Sequence, residues 1–363
     1  MDIIVKRTPP ELSQLPWWDN TRLVGVNTCP TDAALRYGLH KTMREIGPGS
    51  RALALEVGTI CHQVFAMVRM VDLFEHGARW YSALPQYVYD DANVRAHFTK
   101  LFGEAQYADL SDLYSGRDDL RTRMVQMALY IIEASGYYDD PTDRRRTVTN
   151  MEEACVAYID RYPLNQNLPV VHNDFVGVEL PVDVCISLDG GAVWHRFVGR
   201  VDAVQWDTRG KFVEVVDNKT GSRLDNAWLA GYTMSHQVTG YCIAVTAILS
   251  DLGIYSQPIE HGVVLGLAMP QPRTSDFGGY VRHPVTRPEY RWQQWFDWFK
   301  HTIDIGATTM LDPVAAPKYT HSCNRYFRSC QFVPFCDSDV DEQRAMVEEM
   351  PTHEWSPLDE GTD

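Results

Sequence analysis

Asp202, Asp217 and Lys219, followed by Gln237 and Tyr241, are the residues of this 363-residue chain whose types and spacing best suit chemistry. Asp217 and Lys219 stand in the run Asp217-Asn218-Lys219-Thr220-Gly221, with Asp202 on what reads as the preceding strand. Two carboxylates and an ammonium brought together on adjacent strands can grip a divalent metal beside a phosphodiester and activate water against it. A hairpin with its polar end in solvent accounts for any one of these residues. It does not account for all of them together with His62 and Glu179 upstream.

Side chains alternate faces along a strand, so Asp217 and Lys219 project to one side and Asn218 to the other. Asn218 can still offer its main-chain carbonyl to a metal between the strands. Mg²⁺ or Mn²⁺ suits such a site, because a hard cation takes oxygen ligands, keeps several waters and asks for few carboxylates. Lys219 would hold the attacking water or steady the pentavalent transition state. Gln237 and Tyr241 are four residues apart on one expected helix and share a face, from which they can orient Lys219, the water or a DNA backbone. Glu179 is a candidate for the metal's outer shell.

Cys323, Cys330 and Cys336 form a second constellation, in a segment that Pro334 and Arg325 make a poor helix. Three thiolates need a fourth ligand, and Cys29, just before Pro30, is the available donor. Zinc or an iron-sulfur cluster would complete four-coordination, fastening an early cysteine to three late ones. Cys61, Cys155, Cys185 and Cys242 sit in apolar surroundings and read as small buried hydrophobes.

The elements that must position these residues can be read from periodicity. Helices are expected over 31–44 and 56–75, then through a mostly helical block from 85 to about 169. Strands are expected over 176–184, where Pro181 suggests an edge or bulge, and over 194–206 and 211–217. The last two are antiparallel neighbours joined by the tight turn at 207–210. A long helix over 226–252, a strand over 260–268, a Pro-rich loop and a helix over 288–305 complete an α/β core with a mixed sheet. The aromatic set Trp292, Trp295, Phe296, Trp298 and Phe299 reads as core packing on that last helix. The parts are then an N-terminal helical portion at 21–84, a helical insertion or lid at 85–170, the core at 171–336 and an acidic tail at 337–363.

Apolar content of 45% and charged content of 22% fit a globular protein with a sizeable core. No basic, apolar and cleavable leader is evident, and the apolar run from Tyr241 is too short to span a bilayer. A cytoplasmic setting is the expectation, with no membrane partner, and eight cysteines there do not read as a disulfide framework. Net charge of −15 argues against a nucleic-acid partner at first sight. The tail, however, holds ten acidic residues against Arg344 alone, leaving −6 on the body. Arg117, Arg121, Arg123, Arg144, Arg145 and Arg146 give that body local basic points for DNA. No phosphate-binding loop or flavin fingerprint is present, which leaves out a built-in ATPase and a redox enzyme.

The ordered set Gly199-Arg200-Val201-Asp202, Asp217-Asn218-Lys219, Gln237-x-x-x-Tyr241 resembles the RecB-type branch of the PD-(D/E)XK nuclease superfamily. The resemblance implies a restriction-endonuclease-like core in which Asp202 and Asp217 bind metal and Lys219 is the catalytic lysine. Gly58-Thr59-Ile60-Cys61-His62 is similar to the early motif that brings a histidine to the metal, and Glu179 falls where the branch carries an acidic residue. The cysteine layout resembles the iron-sulfur variant among CRISPR-associated exonucleases and helicase-nuclease subunits, which implies a 4Fe-4S cluster with zinc as the alternative. That variant often has Cys-x2-Cys-x5-Cys; here the first spacing is x6, because Phe327 occupies the expected position. The block from 85 to 169 lies outside the resemblance. The activity that the resemblance implies is that of a Mg²⁺- or Mn²⁺-dependent exonuclease acting on DNA ends or single strands. It would work in recombination, repair or phage DNA processing, in a bacterial or phage-infected cytoplasm, beside a separate helicase or recombinase. The rivals are a structure-selective or single-strand endonuclease of the same fold and a noncatalytic DNA-binding protein.

Overall fold

The structure, a computed structural model, describes residues 2–43, 53–84, 87–221, 224–269, 279–325 and 328–352. The chain forms two compact units. One comprises Met1–Arg51, Asp183–Gly199 and Glu289–Asp363, the other Ala52–Val182 and Arg200–Pro288.

Strand β1 (Ile4–Arg7) pairs antiparallel with residues 184–187. Helix α1 (Asn20–Thr28) was not anticipated. Asp19 caps it by accepting the Arg22 amide at 2.9 Å, and only Leu23 and Val26 bury apolar side chains, too thin a stripe to read as a helix. Extended backbone at Cys29 separates α1 from α2 (Pro30–Ala33), which ends in a wider turn at Ala34–Gly38, well short of the expected 31–44 helix.

Helix α3 (Leu53–Asp72) continues through a wide turn and a final helical segment to Tyr81. Leu53–Tyr81 is long and apolar enough to cross a membrane, but most of it is buried, including Val57, Ile60, Val64, Phe65, Val68 and Val71. Then come α4 (Asp91–Phe102), α5 (Glu104–Tyr114), α6 (Leu120–Ala134) and α7 (Val148–Arg161), and α3 packs on α6 and α7.

Strands β2 (Val178–Ser187) and β3 (His195–Asp207) contribute residues to both units. The exposed Pro181 precedes the β2 residues that β1 covers. Asp207 closes the next turn by accepting the amides of Arg209 and Gly210, and β4 (Phe212–Gly221) returns antiparallel to β3. In place of one long helix there are α8 (Asn226–Thr233) and α9 (His236–Asp251). The buried Arg287 guanidinium donates to the carbonyls of Tyr232 and Ser235, so the break satisfies backbone groups that a continuous helix would have used. β5 (His261–Ala268) runs parallel to β4, and β6 (Tyr280–Thr286), which was not expected, pairs antiparallel with β5. The Pro-rich loop expected before it includes 270–278, outside the described residues.

The second unit thus carries the strand order β3-β4-β5-β6 in a mixed sheet. Ala203, Val216, Val263 and Leu265 pack together with Tyr280 on one face. On the other face α9 lies so close that a Cβ on Gly262 would meet Val238 at 2.4 Å. A mixed sheet flanked by helices is the restriction-endonuclease-like α/β fold expected above.

In the first unit α10 (Glu289–Thr309) buries Trp295, Phe296 and Phe299, with Trp295 stacked on Phe299, and Trp292 and Trp298 are half-buried. The final helices are α11 (Val333–Asp337) and α12 (Val340–Glu349). Within the stretch expected as an acidic tail, α12 presents Met346 and Val347, with Met350 beyond, to Leu35, Phe332 and Phe335.

Candidate active site

Asp202 and Asp217 lie one step beyond the Ala203–Val216 pair of the β3–β4 ladder. There the Asn218 amide donates to the Asp202 carboxylate rather than to a main-chain carbonyl, which ties the mouth of the hairpin together. The Lys219 ammonium donates to Asp217 Oδ1 at 2.9 Å. As alternation requires, Asn218 turns to the opposite side, where its side chain is fully buried.

From α3, His62 Nδ1 reaches Asp202 Oδ1 at 3.3 Å. Glu179 completes the group: one ligand atom each from His62, Glu179 and Asp202 lies within 4.8 Å of the others. Among the described residues it is the one set of three or more His, Cys, Asp or Glu at that spacing. Glu179 has a φ of 47°, a left-handed conformation unusual for a residue with a side chain and costing about 1–3 kcal/mol. On α9, Gln237 donates to the Tyr241 hydroxyl at 3.3 Å, and the buried Tyr241 lies close enough to feel the charges of Asp217 and Lys219.

The electrostatics reflect crowding. Burial pushes the Glu179 carboxyl up to about 7, with Asp202 adding to the effect. Burial also raises Asp217 against the pull of Lys219. Burial opposes ionisation of Asp202 too, yet His62, Lys219 and the Asn218 amide hold it below the ordinary carboxylate range. Burial alone would lower His62, but the Asp202 charge outweighs it and pushes the imidazole up to about 9. Lys219, likewise buried, is held charged above its ordinary range by Asp217 and Asp202.

Glu179 Oε1 and Asp217 Oδ2 are buried with no hydrogen-bond partner. Orphaned carboxylate oxygens in a negatively crowded pocket suit a hard divalent cation, which takes oxygen donors and offsets their charge.

The six arginines differ in their surroundings. Arg145 and Arg146 line a small crevice with Val57, Thr220 and Gly221, at the end of the strand that carries Lys219. Arg146 also pairs with Asp143 at 2.6 Å. Arg121 is engaged by both carboxylate oxygens of Asp160, and Arg123 by the Tyr114 carbonyl and Glu75. Arg117 and Arg144 are exposed. Sequence reasoning missed Arg69, whose buried side chain reaches Asn218. Its place two helical turns after His62, on the same face of α3, was the available signal.

In the first unit Cys29 is buried and Cys323, Cys330 and Cys336 are half-buried. Burial pushes the Cys336 thiol up to about 11, with Cys29, Cys330 and Cys323 adding to the rise and Lys318 opposing it. Among the described residues the four cysteines do not form a set within 4.8 Å. The Phe332 amide points at Cys330 Sγ at 3.5 Å.

Fold and site together define an α/β protein with a mixed sheet and a cluster of His62, Glu179 and Asp202 that could hold a metal ion. The sequence profile of the PD-(D/E)XK nuclease superfamily matches residues 20–337, and the chain belongs to that superfamily. Membership makes it a nuclease of a metal-dependent kind with DNA as the substrate class. No curated protein matches the chain. Among solved structures, one titled "Crystal structure of SSO0001" is 13% identical, covers 76% of this chain and 96% of its own, and has a TM-score of 0.29, a likeness too loose to carry an argument.

Proposed function

We propose that the chain is a DNA exonuclease of the RecB-type branch, hydrolysing phosphodiester bonds at DNA ends or in single strands. The observation that carries this reading is the meeting of His62, Glu179 and Asp202 within 4.8 Å, at the hairpin mouth where Lys219 grips Asp217. Asp202 and Asp217, with His62 and the Asn218 main-chain carbonyl, would hold Mg²⁺ or Mn²⁺, and Glu179 would bear on it from the neighbouring strand. When bound, that ion supplies an acidified water and neutralises charge on the phosphoryl oxygens. Lys219 keeps its proton and so acts as a hydrogen-bond donor to the attacking water or a phosphoryl oxygen. Tyr241, held by Gln237 and within electrostatic reach of Lys219, would help orient Lys219, the water or the DNA backbone. Arg145 and Arg146, beside Thr220, offer charge to the DNA backbone.

Cys29, Cys323, Cys330 and Cys336 would hold a 4Fe-4S cluster, with zinc as the alternative, and tie the early and late segments of the first unit. That role is structural and takes no part in hydrolysis. A cytoplasmic setting and a separate helicase or recombinase complete the proposal, since the chain has no phosphate-binding loop of its own.

The test incubates anaerobically purified protein with end-labelled linear and circular DNA and Mg²⁺ or Mn²⁺, beside Lys219→Ala. Degradation of linear DNA alone, lost in the variant, is the expected outcome. Cutting of circles would make it an endonuclease. Binding with no degradation by the wild type would leave a DNA-binding protein without catalysis, and equal degradation by both proteins would take the catalytic role away from Lys219. Visible absorbance together with iron by elemental analysis separates the cluster from zinc.

A further inference from the structure

Arg69 occupies a costly position. It is fully buried on α3, and among the described residues no carboxylate lies within ion-pair distance of it. A guanidinium in a protein core is tolerated only where its surroundings offset the cost of leaving water. The group donates to the Phe65 carbonyl at 3.3 Å and to Asn218 Oδ1 at 3.1 Å. Around it the polar demand is unmet: Arg69 Nε, Asn218 Nδ2 and the Tyr158 hydroxyl are buried without partners.

What Arg69 touches gives it significance. Asn218 separates Asp217 from Lys219, and its amide is already taken by the Asp202 carboxylate. The residue at the centre of the site strand is therefore held from one side by Asp202 and from the other by Arg69. The charge reaches further, since Asp202 and Glu179 both lie close enough to interact with it electrostatically. A cation behind the sheet thus faces the carboxylates in front of it.

We propose that Arg69 is a positioning residue of the nuclease site. By fixing Asn218 it sets the spacing of Asp202, Asp217 and Lys219, and its charge offsets the crowded carboxylates. This inference rests on the nuclease reading above. A plain structural brace would show itself in stability alone, whereas a positioning role must appear in metal affinity and turnover.

The experiment measures Mn²⁺ binding to the full chain by calorimetry without DNA, and kcat and KM on linear DNA. It compares wild type, Arg69→Lys, Asn218→Ser and the double variant. Each single change should weaken Mn²⁺ binding and lower kcat by about 10–100-fold, with KM for DNA unchanged. The double variant should lose no more than the worse single, because one interaction is removed twice. Should Arg69→Lys fail to fold, Asn218→Ser decides, since its shorter side chain draws the acceptor oxygen back from Arg69 and keeps the strand. A folded Asn218→Ser protein with wild-type Mn²⁺ affinity and kcat overturns the proposal. Lys219→Ala in the same series keeps the two readings apart. If it degrades DNA as wild type does, the reading of this site as the catalytic centre falls, while the Mn²⁺ titration still tests Arg69.

Discussion

His62 and Glu179 both hold their protons above the ordinary range, and both shifts work in one direction. The imidazole is raised from 6.5 to about 9 by Asp202 against the pull of burial, so its contribution to stability is present below 6.5 and is lost as pH climbs through about 9. Glu179, raised from 4.5 to about 7 chiefly by burial, resists ionising in the fold, so it too favours the folded state less as pH rises over that interval. The metal-free protein should therefore be more stable toward urea at pH 6 than at pH 9. Metal ligands must be deprotonated to bind, so Mn²⁺ affinity should run the opposite way, climbing by up to about tenfold per pH unit below pH 9. Calorimetry in two buffers of different protonation heat reads the released protons. If none is released near neutral pH, His62 is not a ligand. At this scale sequence reached most of the site, because Asp202, Asp217 and Lys219 owe their positions to strand alternation alone. Glu179 was harder to read: its left-handed backbone is a tertiary outcome that no local pattern encodes. Arg69 was hidden because an arginine in an amphipathic helix ordinarily faces water.

Elements were legible where periodicity was strong and local. The β3–β4 hairpin is written in the Asp207 turn, and α3 in its apolar stripe. β6 was not legible, since Pro284 and Arg282 interrupt its alternation and its pairing depends on β5. The same strand supplies a buried contact whose worth can be measured. Glu214 on β4 is 2% exposed and accepts Gln205 Nε2 at 2.5 Å and Arg282 at 2.5 and 2.7 Å. Arg282→Met would leave that carboxylate buried with amide partners only. Removing one member of a fully buried pair costs about 3–5 kcal/mol, and less is expected here because the Arg282 side chain is 33% exposed, while replacing both by apolar groups is often near neutral. Urea unfolding should therefore show a clear loss for Arg282→Met and recovery of most of it in Glu214→Leu/Arg282→Met. A loss under about 1 kcal/mol in the single variant would mean that water or other donors already satisfy Glu214.

At the scale of the whole molecule, an acidic chain must bind an acidic polymer. The net charge of −15 is offset in part by where the charge lies, since acidic residues crowd the C-terminal stretch. Composition therefore said little about which arginines meet DNA, because exposure and ion pairing are decided by tertiary neighbours. Arg121 already satisfies Asp160, so engaging a phosphate would mean giving up that pair. Arg145 has no side-chain ion pair among the described residues and lines the crevice beside Thr220 and Gly221. Each phosphate neutralised by a cationic side chain releases counterions, and log Kd then varies with log salt by about 0.7–0.9 per contact. Arg145→Ala should thus weaken DNA binding at low salt and reduce that slope by about one, as read by fluorescence anisotropy across a salt series with the Lys219→Ala protein to prevent cleavage. Arg121→Ala should leave the slope unchanged. The reverse pattern would move the DNA path away from the Lys219 end of β4 and toward the α6–α7 face.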